Sequence, residues 1–283
     1  MPSHPLAKTV ALTVVTLLAF AGNSILGRLA LHAEAIDPLS YTAIRLSSGA
    51  LALLPFLRRG PRPWNPKAAL VLIAYAVAFS LAYVTLDTGT GALLLFGTVQ
   101  FTMIGSGLRQ GERPSLLRLL GIAIAVTGVV VLCLPGVSAP DARGAILMIA
   151  AGFAWGVYSL IGRGTTAPSA ATACNFLMAA PLALLVLWLA ESSATLTLPG
   201  VLFAIASGAT TSGLGYILWY TTLPGHSATS AAVVQLAVPV IASVGGVVFL
   251  GEELTSRLLG AGALTLGGIA VAALARGGRH LVR

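Results

Sequence analysis

Long, nearly unbroken apolar runs constrain this chain before any other feature. Val10 to Leu31, Ala68 to Leu86, Leu119 to Leu134 and Ala228 to Leu250 carry almost no charge. Each is about the length an α-helix needs to cross the roughly 30 Å hydrocarbon core of a bilayer at 1.5 Å per residue. With 16 basic and 8 acidic side chains among 283 residues, and 57% hydrophobic positions, the chain cannot coat a soluble surface of its size. A soluble domain carries roughly 25% charged residues. Disorder requires low hydrophobicity and is excluded. A transmembrane barrel needs segments of about ten residues that alternate polar and apolar, and these runs do not alternate. Helices satisfy their own backbone groups in lipid. The chain therefore reads as an all-α integral membrane protein.

Breaks at charge, Pro and Gly clusters predict ten helices, at 8–31, 38–57, 68–87, 90–108, 115–134, 144–162, 169–190, 199–221, 227–249 and 257–275. The first run is too long for a cleaved signal and lacks a small-residue cleavage site, so it is expected to stay as the first span. With the spans numbered from the N-terminus, one side collects Lys8, Arg58, Arg59, Arg62, Lys67, Arg109, Arg113, Arg118, Arg163, Arg276, Arg279 and Arg283. The other side holds only Arg143 and Arg257, while Arg28 and Arg45 lie within spans. The positive-inside rule then predicts that both termini are cytoplasmic. The net charge of +8 is on this reading a topology signal, and no nucleic-acid partner is expected.

The two halves resemble each other. Phe20-Ala21-Gly22-Asn23-Ser24-Ile25-Leu26-Gly27-Arg28 lies over Trp155-Gly156-Val157-Tyr158-Ser159-Leu160-Ile161-Gly162-Arg163 without a gap. Tyr83-Val84-Thr85-Leu86 matches Tyr220-Thr221-Thr222-Leu223. Gly111-Glu112 before Arg118-Leu119-Leu120-Gly121 matches Gly251-Glu252 before Arg257-Leu258-Leu259-Gly260. Three matches in one order predict a first repeat over 1–138 and a second over 139–283. Five spans per copy is an odd number, so the second copy enters the membrane inverted, the arrangement that supports alternating access around a midplane site.

These doubled Gly-Glu and Arg-Leu-Leu-Gly segments, with the ten-span pattern, resemble the drug/metabolite transporter superfamily in its EamA-type branch, and within it the YddG-type amino-acid exporters. The resemblance spans nearly the whole chain. It implies a multi-pass protein of the bacterial cytoplasmic membrane that exports small organic solutes through a central cavity. Helices one, three, four, six, eight and nine would line that cavity, with five and ten at the periphery. Relatives often have a proline within both helix four and helix nine; here helix nine has Pro239, but helix four has Gln100 at the matching place.

Polar side chains in mid-membrane tend to face protein or a cavity. Asn23, Gln100, Tyr158 and Gln235 fall on the implied lining helices. Tyr75, Phe79 and Tyr83 recur every four residues on helix three, Trp155 joins Tyr158 on helix six, and Tyr216, Trp219 and Tyr220 cluster on helix eight. The expected substrate-binding set is Asn23, Phe79, Tyr83, Gln100, Trp155, Tyr158, Tyr216 and Gln235, with Pro239 and Gly97 as gating positions. Such a wall suits a flat amphipathic solute; the alternative is that these groups only bond and pack between helices. Trp64 and Trp188 read as interface anchors, and Trp219 as a further one. Arg45 is expected to snorkel outward toward Glu34, Asp37 and Asp87, with a grip on a substrate carboxylate as its alternative. Arg28 and Arg163 read as positioning charges. Cys133 and Cys174 read as small buried hydrophobes.

Export of amino acids, aromatic ones included, or of related metabolites by facilitated diffusion is the leading expectation, because no acid lies near the midplane. A proton-coupled drug or nucleotide-sugar transporter is the alternative, although the lining lacks a basic pair for a diphosphate. An intramembrane enzyme is the rival from another class. His4, His32, His226 and His280 all fall in loops or tails, so no metal cluster, acid–base pair or cofactor is expected, and no phosphate-binding Gly-rich loop is present. Small-residue spacings such as Gly107-x-x-x-Gly111 and Gly152-x-x-x-Gly156 predict close helix packing within a monomer or weak homo-oligomer.

Overall fold

In a computed structural model, the chain is described over residues 5–32, 34–58, 62–109, 115–136, 139–163, 165–190, 195–222 and 234–275. Regular structure among these residues is helical: α1 (Pro5–His32), α2 (Pro38–Leu53), α3 (Pro66–Ala82), α4 (Thr88–Arg109), α5 (Leu116–Cys133), α6 (Ala142–Gly162), α7 (Pro168–Leu189), α8 (Leu198–Thr222), α9 (Ala237–Leu250) and α10 (Ser256–Leu274). The exception is one antiparallel bridge between Ile36 and Leu196, which ties the α1–α2 connection to the α7–α8 connection. Five helices, α1, α5, α6, α7 and α8, are long and apolar enough to cross a membrane. Large apolar side chains such as Val14, Leu18, Leu120, Phe153, Leu184 and Val248 stand exposed on the outside of the bundle, as expected where lipid is the solvent.

Local chemistry starts these helices where the sequence places its caps. Asp37, Asn65, Ser115, Asp141, Thr197 and Thr255 each accept a hydrogen bond from a backbone N–H of the first turn, satisfying a donor that lipid could not. Prolines stand in the first turns of α2, α3, α7 and α8, where their missing N–H is harmless. Two predicted ends shift. Helix two stops at Leu53 and continues as a 3₁₀ turn over Leu54–Arg58, because Pro55 cannot donate to the ladder. Helix three, expected to reach 87, ends at Ala82 with Tyr83 as its cap. The first part of the predicted helix nine, 227–233, lies outside the described residues. Helical residues 234–235 break into a turn at Leu236 before α9 proper, just where Pro239 can offer no N–H to Gln235.

The helices pack as pairs: α3 with α6 and α1 with α8; α4 with α6 and α1 with α9; α2 with α7, α4 with α9 and α5 with α10. The α5–α10 crossing is close at backbone level. A methyl built on Gly121 would stand 2.5 Å from the backbone N of Ala272, and one on Gly268 would stand 2.4 Å from that of Ala125. Gly152 and Gly156 do the same for α6 against Leu95, Thr98 and Thr102 of α4. Without a hydrophobic drive between helices in lipid, small residues that admit van der Waals contact supply much of the association. The sequence expectation of close packing at Gly152-x-x-x-Gly156 therefore holds, while Gly111 lies outside the described residues.

This geometry separates two glycines that look alike in sequence. Gly121→Val should push α5 off α10 and lower stability by about 1–3 kcal/mol, the usual cost of overpacking. Gly267→Ala, with nothing within 4 Å of its new methyl, should leave stability unchanged or raise it by up to about 1 kcal/mol. Thermal unfolding of the two variants in detergent distinguishes them.

Candidate functional site

An aromatic cluster fills the centre of the bundle. Phe20 of α1 meets Trp155 of α6 edge-on at 5.7 Å, and also Tyr216 and Trp219 of α8 at 6.1 and 5.8 Å. Trp155 in turn lies 5.1 Å from Tyr75 and 4.4 Å from Tyr216. Phe20 and Trp155, which stand at matching places in the two similar sequence segments, touch here. Between them lies a small cavity lined by Phe20, Asn23, Ser24, Tyr75, Phe79, Leu95, Phe96, Trp155 and Tyr216. Its volume is about 10 Å³, room for roughly one water. Among the described residues, the side chains leave no more space than that at this point.

The cavity wall is held by a ring of hydrogen bonds. Arg45 of α2 donates from Nε to Ser212 Oγ at 2.9 Å, and from Nη2 to the hydroxyls of Tyr75 and Tyr216 at 3.1 and 3.0 Å. Ser212 donates to Asn23 Oδ1 at 3.2 Å, and Asn23 Nδ2 donates to the Tyr75 hydroxyl at 3.2 Å, which closes the ring. Asn23 Oδ1 also accepts from Ser207 at 2.6 Å and Thr211 at 3.3 Å. The guanidinium stacks over the rings of Tyr75 and Phe79, at 5.2 and 4.7 Å from their centroids.

A deformation of α8 makes this ring possible. Leu198–Ala206 and Gly215–Thr222 are α-helical, but Ser207–Leu214 between them winds as a π-helix. Its wider turn presents Ser207, Thr211 and Ser212 together to Asn23. Gly208 lets it approach α2 so closely that a methyl there would stand 2.0 Å from the carbonyl oxygen of Arg45. Wide turns of this kind recur at functional sites. The signal was present in the sequence: Ser207-Gly208-Ala209-Thr210-Thr211-Ser212-Gly213 is a run without a large apolar side chain in mid-span. Periodicity alone does not single it out.

Of the predicted set, Asn23, Phe79, Trp155 and Tyr216 come together on the cavity wall. Tyr158 stacks behind Trp155 at 5.5 Å and accepts from Asn175 Nδ2 at 3.2 Å. Tyr83 sits one turn beyond Phe79, its ring 4.7 Å away and its hydroxyl 3.4 Å from the carbonyl of Thr88. Gln100 and Gln235 are buried but do not line the cavity. Gly97 faces Thr265 of α10. Pro239 borders a separate apolar crevice of about 290 Å³ between α4, α9 and α10. α9, expected among the lining helices, contributes none of the residues around the central cavity, whereas α2 places Arg45 directly behind its wall.

Three expectations are corrected. Arg45 does not snorkel: it is 1% exposed and turned toward the centre, where the Tyr75, Tyr216 and Ser212 oxygens accept from its Nε and Nη2. Trp219 is no interface anchor but buried against Phe20; Trp64 and Trp188 are exposed near helix ends, as anchors should be. Cys133 is exposed near the end of α5, whereas Cys174 is buried. Arg28 is the positioning charge expected of it. It pairs with Glu252 at 3.3 Å and Asp87 at 3.2 Å and donates to the carbonyls of Tyr83 and Val84. Glu252 in turn accepts from the backbone N–H and hydroxyl of Thr88. One end of α1 is thereby latched to the α3–α4 turn and to the end of α9.

Asn23→Leu should leave the buried Ser207 and Ser212 hydroxyls without their shared acceptor, while Thr211 keeps the Ser207 carbonyl at 2.9 Å. A loss of about 1–3 kcal/mol is expected for such buried unsatisfied groups, read as a lower midpoint in thermal unfolding. Ser24→Ala, next to it on the same wall, should cost less than half of that.

A family model described as the EamA-like transporter family matches the chain twice, over residues 7–134 and 142–274. An uncharacterized protein of Pseudomonas aeruginosa is 49% identical over 97% of this chain and 98% of its own. A probable terminal-alkyne amino-acid exporter of Streptantibioticus cattleyicolor is 27% identical over 93% of each. The threonine/homoserine exporter RhtA of Escherichia coli is 29% identical, over 93% of this chain and 92% of its own. A solved crystal structure superimposes with a TM-score of 0.68 at 21% identity, covering 95% of this chain and 99% of that one; at such identity the likeness speaks to the fold.

Proposed function

The chain belongs to the EamA-like transporter family, and from that premise we propose that it carries small organic solutes, amino acids first, out of the cell by alternating access. The observation that carries the proposal is the small polar and aromatic cavity lined from α1, α3, α4, α6 and α8. Ten spans in two inverted five-helix units, 1–138 and 139–283, supply the architecture. Two successive matches to one family model support that division, as does the pairing of helices. Exchanging the first five helices for the second five turns α3–α6 into α8–α1 and α4–α6 into α9–α1, and returns α2–α7, α4–α9 and α5–α10 to themselves. An arrangement with that symmetry has a second packing of nearly equal energy, open to the other side.

Asn23, Phe79, Trp155 and Tyr216 are the contact residues of the proposed site, with Tyr158 and Tyr83 as their backing and Gln100 and Gln235 further from the solute. Neutral oxygens set among rings suit an amphipathic molecule of amino-acid size. The two relatives with named amino-acid substrates point to the same class. On the positive-inside orientation, with both termini cytoplasmic in the bacterial inner membrane, the Arg28–Glu252–Asp87 latch lies at the outer end and closes it. Pro239, at the break before α9, is the proposed bend that lets this end open, and Gly97 gives α4 matching freedom against α10.

Among the described residues no carboxylate lines the central cavity, which favours facilitated diffusion down the solute gradient over proton coupling. Purified protein in liposomes should exchange labelled threonine or another amino acid in counterflow without an ion gradient. An imposed pH difference alone should drive no accumulation. Uphill uptake powered by that difference would replace the uniporter with a proton-coupled carrier; absence of flux for every amino acid would remove the substrate class. Pro239→Ala should slow the exchange several-fold while leaving the protein folded, and unchanged exchange would make the break static.

Orientation has its own check. A cysteine at Glu34, an exposed position after α1, in a chain with Cys133 and Cys174 replaced, should react with an impermeant maleimide on intact cells. Reaction only after permeabilisation would invert the topology.

A further inference from the structure

We propose that Arg45 is the carboxylate anchor of the transport site, so that a solute must bear a carboxylate to be carried. This rests on the transporter reading and narrows its substrate class. Arg45 is 1% exposed, and a guanidinium cannot shed its proton. Among the described residues no carboxylate lies within 4.0 Å of it; the two ion pairs there both belong to Arg28. Its bonded partners, Ser212, Tyr75 and Tyr216, are all neutral. A full positive charge deep in a membrane protein without a counter-ion is costly, and such groups mark solute pathways.

Two donors at the site are unsatisfied. Arg45 Nη1 and Trp155 Nε1 are both buried without a hydrogen-bond partner. Trp155 lines the central cavity, and Tyr75, Phe79 and Tyr216, which surround the guanidinium, line it as well. Unused donors around a positive charge call for a ligand rich in acceptors and negatively charged. A carboxylate is the small group that meets both demands, and guanidinium binds it in a planar two-bond fork. In this structure the Tyr75 and Tyr216 hydroxyls, 3.4 Å apart, take one arm of that fork. They occupy the place that carboxylate oxygens would take once the cavity opens.

The scaffold itself does not require the charge. α2 and α7 begin alike: Pro38 and Thr42 correspond to Pro168 and Thr172, and each threonine hydroxyl donates to the carbonyl of its proline, at 2.8 and 2.9 Å. Counting on three residues, Arg45 corresponds to Asn175, which donates to the Tyr158 hydroxyl. One half meets the packing need with a neutral amide, so the cation in the other half serves something besides packing. An ammonium on the same solute would meet the Asn23 amide and the faces of Phe20, Trp155 and Tyr216, the form in which aromatic walls accept cations.

The test uses the full chain in liposomes, with threonine as the first labelled probe and other amino acids in turn. In wild-type counterflow, 3-hydroxybutyrate, which keeps the carboxylate and lacks the amine, should compete. Threoninol, which keeps the amine and lacks the carboxylate, should compete at least about tenfold more weakly than threonine, the size of effect expected from losing a hydrogen bond to a charged group. Arg45→Gln should lower exchange by a similar factor and erase the preference, and Arg45→Lys should retain part of it. Threoninol competing as well as threonine would overturn the proposal, as would a folded Arg45→Gln protein with unchanged preference. If Arg45→Gln does not fold, the wild-type competition decides alone. If no amino acid exchanges, the amino-acid reading fails separately. The anchor is then judged by thermal stabilisation of the purified protein by carboxylic acids against their matched alcohols, and equal shifts overturn it.

Discussion

A guanidinium buried away from water has to be satisfied by whatever side chains can reach it, and the middle of this bundle is organised by that demand. Arg45 draws Tyr75 from α3, and Ser212 and Tyr216 from α8, while Asn23 from α1 joins Ser212 to Tyr75. Four helices are therefore tied by directional bonds at one point. In water such a ring would compete with solvent; between helices in lipid it has no such competitor. Apolar packing then needs only to fill the space around it. The larger apolar surfaces face outward to the bilayer, where they carry no information about how the helices are arranged.

The periphery is held differently. α5 and α10 meet along Gly121, Ala125, Gly128, Ala261, Thr265, Gly268 and Ala272, backbone against backbone with few polar bonds. Such a contact is close and unspecialised, and it attaches to the centre mainly through α4. Polar bonding at the core and small-residue contact at the rim divide the structure into a part held by directional bonds and a part held by close backbone contact.

Helix existence and type were legible from the sequence because apolar runs of span length have one solution in a membrane. Caps and prolines fixed most starts, as at Asp37-Pro38 and Asn65-Pro66. Ends were harder: Tyr83 to Leu86 are apolar enough to extend α3, yet they turn so that Arg28 can reach the carbonyls of Tyr83 and Val84. Half of the predicted set, Asn23, Phe79, Trp155 and Tyr216, reaches the candidate wall, chosen by polarity and aromatic spacing on the helices that the family resemblance implied as lining. The reading of Arg45 erred because snorkelling assumes that a charge seeks water, whereas Tyr75, Tyr216 and Ser212 lie closer than water does. Those partners are 30, 171 and 167 residues away in sequence, beyond the reach of any local pattern. The π segment was missed for a related reason, since one wide turn leaves the average hydropathy of its span nearly unchanged.

That wide turn bears on how relatives of this protein can come to differ. Within Ser207–Leu214 the side chains that reach Asn23 and Arg45 are small hydroxyls on a stretch that adds little to the apolar frame. The flanking segments, Leu198–Ala206 and Gly215–Thr222, carry the larger apolar side chains, while the turn itself lies backbone-close on α2 through Gly208. Exchange of one hydroxyl for another polar group there re-tunes the wall while the flanks keep their contacts. Sequence change at this one turn can therefore alter the polar centre only through groups small enough to keep the close approach to α2.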